Sequence, residues 1–255
     1  MFNRWMITSK FIRKTTDSTT SYVTVNNAVF LWRIIDLVYP PFCCHCGQLG
    51  SELCSSCFSS IEWINPSDYC PKCGQRSHPS GNCNANGLFF QEIRSWGIYT
   101  GALRSIVQKL KYHRGVGLVP YILPALVDYV RNWHPHVDVV VPLPLGHKRE
   151  HQRGYNQTAL FAKPLAKNIG LGYLPKSVER TRETISQVGL TARERKMNMM
   201  GAFKANTKIV RGLNILLIDD ITTTGSTINE CAKSLIMAGA ESVSCFTLAK
   251  AKIKF

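Results

Sequence analysis

At 255 residues, with 45% apolar and 18% charged side chains, the chain can bury a sizeable core and falls outside the disordered classes. Its net charge of +15 favours phosphate-rich partners, whether a phosphorylated small molecule, nucleic acid or an anionic membrane, without choosing among them. The longest apolar run near the start, 28–42, is broken by Arg33 and Asp36 and ends in Pro40 and Pro41, too short to span a bilayer.

Residues 1–29 are Ser/Thr-rich and basic, and read as a disordered or targeting-like extension without the apolar core of a secretory signal. The ordered protein is expected to begin near Phe30. Eight of the ten cysteines follow in the first third of the chain. Cys43/Cys46, Cys54/Cys57 and Cys70/Cys73 each have C-x-x-C spacing, which presents two thiolates to one metal ion. Without a secretory signal, structural zinc in a cytoplasmic protein is the expected use of these thiols, ahead of disulfides. Cys43, Cys46, Cys54 and Cys57 make one complete site. Cys70, Cys73 and Cys83 make three-quarters of a second, with Asn86 where a fourth cysteine would stand and His78 as the candidate to close the shell. Four thiolates leave no open position for a substrate, so a zinc module over 30–90 is expected to be structural.

From Trp96 the pattern over 91–255 becomes that of an α/β domain. A short strand at 96–99 precedes a helix at 101–112, with Leu103, Ile106, Val107 and Leu110 on one face. A buried strand at 137–141 ends at Pro142-Leu143-Pro144, and a cationic loop follows with Lys148, Arg149 and Arg153. Residues 155–167 are helical in pattern, with Pro164 expected to kink them. The polar segment 180–198 reads as an excursion over the sheet edge, either a lid or a solvated hairpin. Strands alternating with helices imply a mainly parallel sheet that binds ligands at the strands' C-terminal ends.

The most informative segment is 215–227. Four apolar residues form a buried strand that is expected to end at Asp219 and Asp220. Thr222, Thr223, Thr224, Gly225, Ser226 and Thr227 then lead into an amphipathic helix. A hydroxyl-rich turn before a helix N-terminus suits a phosphate, and adjacent carboxylates can accept hydrogen bonds from two ribose hydroxyls. An apolar strand ending in acids also occurs in P-loop ATPases, but the required G-x-x-x-x-G-K-[ST] loop is missing. The segment resembles the phosphoribosyl pyrophosphate (PRPP) signature of type I phosphoribosyltransferases.

The ordered set of motifs resembles the ComF family over about residues 30–250. It comprises the paired knuckles, Lys109-Leu110-Lys111-Tyr112, Pro142-Leu143-Pro144, Arg153-Gly154-Tyr155-Asn156-Gln157, the Gln187…Arg193…Asn198…Gly201-Ala202-Phe203 series and the PRPP motif. The resemblance implies a type I phosphoribosyltransferase-like fold preceded by a zinc ribbon, PRPP binding with Mg²⁺, and a role in handling single-stranded DNA during uptake. A DNA-uptake helicase or channel is the further partner it implies. On this reading Asp219 and Asp220 hold the ribose, residues 222–227 hold the 5′-phosphate, and Arg153 neutralises the leaving pyrophosphate. Lys109, Lys111, Arg114, Lys148, Arg149 and Arg153 are the candidate DNA-binding cations, with Tyr112 and Tyr155 as stacking partners. The alternative is an active phosphoribosyltransferase of nucleotide salvage or other metabolism with an unknown acceptor.

Overall fold

A computed structural model describes residues 40–75, 83, 87–112, 115–133, 135–182 and 192–252. The extension 1–29, Arg114, His78 and Asn86 lie outside the described residues. Two turns of the same design open the chain. Cys43 N donates to Gln48 O and Gly47 N to Cys43 O; Cys70 N donates to Gln75 O and Gly74 N to Cys70 O. Gly47 and Gly74 close these turns at φ 74° and 66°, where a side chain is strained. Between the turns, Ser55–Ser59 forms the short helix α1, its N-terminus capped by the Cys54 thiol.

The α/β unit begins with strand β1 (Glu92–Ile98), which starts four residues earlier than the sequence pattern predicts. Helix α2 (Gly101–Tyr112) matches its expected bounds, and Leu103, Ile106, Val107 and Leu110 are all buried. Helix α3 (Val119–Trp133) is absent from the sequence reading because Pro120 and Pro124 look like helix breakers. Pro120 falls in its first turn, where a missing N–H costs nothing, and Pro124 is tolerated within a helix that buries Ile122, Leu126 and Val130. Strand β2 (Val139–Pro142) is followed by α4 (His147–Arg153), a helix where a loop is expected. Gly154 terminates α4 at φ 74°.

Helix α5 (Gln157–Ile169), capped by Asn156, contains Pro164 as anticipated. Strands β3 (Gly172–Tyr173) and β4 (Val178–Arg180) come next. Helix α6 (Ala192–Met199), strand β5 (Phe203–Ala205) and the single-turn helix α7 (Thr207–Val210) follow. The excursion is therefore a small antiparallel β4–β5 sheet with a helix between its strands. Strand β6 (Asn214–Thr222), helix α8 (Ser226–Met237) and strand β7 (Ser242–Lys250) complete the chain.

The main sheet has the order β1-β7-β6-β2-β3, and every pairing is parallel. Helices cover both faces, which explains why β6 and β7 read as continuous apolar runs. Leu216, Ile218, Phe246 and Leu248 pack on the α2, α3 and α5 side. Ile215, Leu217, Val243 and Cys245 pack on the α8 side. The knuckle residues Cys43, Leu53, Cys57 and Ile61 are buried in the same cluster as α2, so the cysteine-rich module is seated on the α/β unit. Among the described residues, no helix is long and apolar enough to cross a membrane.

Candidate functional site

Adjacent strands β2 and β6 end side by side, and the segments leaving them enclose a cleft of about 1130 Å³. Asp219 and Asp220 line it, but inside the strand and not at its end. Parallel pairing with β7 continues through Thr222↔Lys250, so β6 outlasts its apolar run by four residues. Because strand side chains alternate, the two carboxylates leave opposite faces of the sheet.

Asp220 lies toward α2 and α5 and is only 2% exposed. Its Oδ1 pairs with Lys111 Nζ at 2.9 Å, and its Oδ2 accepts from Gln157 Nε2 at 2.6 Å. Gln157 Oε1 accepts from Arg153 at 2.6 Å, and the Arg153 guanidinium lies 5.2 Å from the centre of the Tyr112 ring. The chain of contacts thus returns to the residue beside Lys111. Asp219 occupies the other face, and its Oδ1 accepts the Asp220 N–H at 2.8 Å. Burial, reinforced by the neighbouring Asp220 charge, pushes its pKa from 3.8 up to about 7.

Beyond the strand the chain turns through Gly225 at φ 78° into α8. The Thr224 and Ser226 hydroxyls are 2.8 Å apart, and Ser226 N donates to Thr224 Oγ1 at 3.4 Å. Thr222, Thr223, Gly225, Ser226 and Thr227 line the cleft with the α8 N-terminus behind them, while Thr224 braces the turn. Oriented N–H groups and a helix dipole make this end suited to a phosphate.

The candidate DNA-binding cations do not form one exposed strip. Lys109 pairs with Glu52 of the cysteine-rich module at 2.5 Å, and Lys111 belongs to the cleft. Lys148 and Arg149 sit on α4 at the cleft mouth, Lys148 exposed and Arg149 facing the cavity with Arg153. Tyr112 is 67% exposed, whereas the Tyr155 hydroxyl donates to Leu110 O at 2.8 Å. Two cleft residues escaped the sequence reading. Gln157 was part of a motif without a role, and Arg180 was placed in the excursion, yet it is buried and lines the cleft from β4. A buried arginine at a strand end is a signal that only tertiary structure reveals.

Both cysteine groups assemble. The ligand atoms of Cys43, Cys46, Cys54 and Cys57 all lie within 4.8 Å of one another, as do those of Cys70, Cys73 and Cys83. A tetrahedron of about 2.3 Å zinc–sulfur bonds has edges of about 3.8 Å. The Cys46–Cys54 and Cys70–Cys83 sulfur separations are 3.8 and 3.6 Å, so the residues fit the metal. Burial opposes charge on Cys43, yet N–H groups of Cys46, Cys54 and His45 outweigh it and bring that thiol down to about 6. Cys44 stands outside the cluster.

The double zinc ribbon domain family matches residues 34–86, and the phosphoribosyl transferase domain family matches residues 157–254. The chain is 32% identical over 207 residues to the DNA utilization protein YhgH of Salmonella typhi, covering 78% of this chain and 90% of that one. It is 30% identical over 226 residues to competence protein F of Haemophilus influenzae, covering 82% and 96%. It is 25% identical over 228 residues to competence protein ComFC of Bacillus subtilis, covering 85% and 88%. Among solved structures, adenine phosphoribosyltransferase from Thermoanaerobacter pseudethanolicus aligns with a TM-score of 0.38 at 15% identity, over 76% of this chain and 86% of that one. With a double zinc ribbon ahead of a phosphoribosyltransferase-type domain, and this likeness to competence protein F and YhgH along most of its length, the chain belongs to the ComF family.

Proposed function

We propose that this protein binds PRPP with Mg²⁺ in the β2–β6 cleft and acts in the cytoplasm in DNA uptake, handling single-stranded DNA. The observation that carries the reading is one cleft holding two carboxylates, a left-handed glycine turn at a helix N-terminus, and Lys111, Arg149 and Arg153. These are the groups needed for a ribose, its 5′-phosphate and a diphosphate. Asp219, with Asp220 behind it, receives the ribose hydroxyls; residues 222–227 receive the 5′-phosphate. The cleft's oxygen donors suit Mg²⁺, which would offset diphosphate charge when bound. The names of the relatives, DNA utilization protein and competence protein, support the DNA role.

The same groups allow pentosyl transfer. As the bond from the ribose carbon to pyrophosphate breaks, Arg153 stands where it would stabilise charge on the departing oxygens, and an acceptor nucleophile takes the vacated position. Nucleotide salvage is the second reading, and turnover of PRPP with a free nucleobase would favour it. A zinc module has no evident task in such an enzyme.

DNA binding is tested by fluorescence anisotropy with a labelled single-stranded oligonucleotide across a salt series. Lys148→Ala/Arg149→Ala should weaken binding and lower the log–log salt slope by about 2, one for each lost phosphate contact. Asp219→Asn/Asp220→Asn should leave that slope unchanged. Unaltered binding in the α4 variant would remove the cleft mouth from the DNA surface.

A further inference from the structure

Lys111 belongs to the sugar-phosphate cleft, and its surroundings define what it does there. It occupies the last turn of α2, where the carbonyl end of the helix repels anions, so an anion approaching from that side needs a local cation. The helix is held firmly. Its apolar face is fully buried, and one turn earlier Lys109 is anchored to Glu52 of the zinc module. Lys111 Nζ meets Asp220 Oδ1 at 2.9 Å, and an ammonium has three N–H donors, of which this contact takes one. Asp220 faces the α2 side of the sheet, away from the Gly225 turn that suits the 5′-phosphate. Arg149 and Arg153 line the cleft with Lys111.

We propose that Lys111 binds the diphosphate group of the cleft's ligand, with Asp220 as its partner in the ligand-free state. This rests on the PRPP reading and divides the site in two: the Gly225 turn for the 5′-phosphate, and the end of α2 with α4 for the diphosphate. Lys111 is therefore a small-molecule ligand residue and not part of an outer DNA surface. The zinc module contributes to the cleft indirectly, through Glu52 and the buried face of α2.

The two halves can be probed separately by calorimetry in the presence of Mg²⁺, with inorganic pyrophosphate and ribose 5-phosphate as titrants. Lys111→Met should weaken pyrophosphate binding about 10- to 100-fold, the loss expected for one charge-assisted hydrogen bond, and leave ribose 5-phosphate within about twofold. Lys111→Arg, which keeps the charge, should recover pyrophosphate binding to within about threefold of wild type. Retained zinc and an unchanged melting profile establish that each variant is folded. Equal losses for both titrants, or no loss for either, would overturn the assignment. Wild-type protein that binds neither titrant would overturn the PRPP reading itself, a different result from a Lys111 variant that behaves like wild type.

Discussion

Asp219 makes the cost of the site measurable. Its pKa is raised from 3.8 to about 7 by burial and by the charge of Asp220. A folded-state pKa above the unfolded value means that the folded protein binds this proton more tightly. Stability is then greatest below about pH 4 as far as this group is concerned, and is lost as pH rises toward 7. The difference corresponds to roughly 4 kcal/mol at about 1.4 kcal/mol per pH unit, shared between two coupled carboxylates. Asp219→Asn removes the titration while keeping an oxygen to accept the Asp220 N–H. The variant should match wild type near pH 5 and exceed it at pH 8, by up to about 8–16 °C in Tm for a chain of this size. Thermal melts of the zinc-loaded proteins from pH 4.5 to 8 provide the test. Acid also strips zinc, but equally from both proteins, so the informative quantity is the difference between them. A difference that does not change with pH would refute the reasoning.

Other perturbations give separable outcomes. Cys54→Ser should remove one equivalent of zinc and Cys73→Ser the other, as read by metal analysis, because the two clusters share no ligand. Gly225→Ala places a Cβ that meets nothing within 4 Å, so its cost should be the backbone strain alone, about 1–2 kcal/mol by denaturant unfolding. Leu110→Ala, at a fully buried position next to Lys111, should cost about 2–5 kcal/mol by the same assay.

The sequence disclosed those parts of the fold whose signals are local. Helix α2 shows an uninterrupted apolar face, and β6, the Gly225 turn and α8 form one contiguous motif. The cysteine spacing predicted both clusters, because a C-x-x-C turn fixes its own geometry. Helix α3 was obscured by prolines whose positions are harmless only once the helix start is known. Helix α4 is seven residues long and has no buried face, so its charged sequence gave no periodicity to read. Strand β6 continues through two carboxylates because β7 pairs with it there, a tertiary effect that also separates Asp219 and Asp220 onto opposite faces. The roles of Lys111 and Gln157 depend on α2 and α5 both reaching Asp220, contacts that span more than sixty positions of sequence.

The most direct test of the central claim is calorimetric titration of PRPP with Mg²⁺ into zinc-loaded wild type and into Asp219→Asn/Asp220→Asn, each repeated with a short single-stranded oligonucleotide. The account predicts binding to wild type, its loss in the variant, and a shifted affinity when the oligonucleotide is present. Folded, zinc-loaded wild type that takes up no PRPP would contradict it.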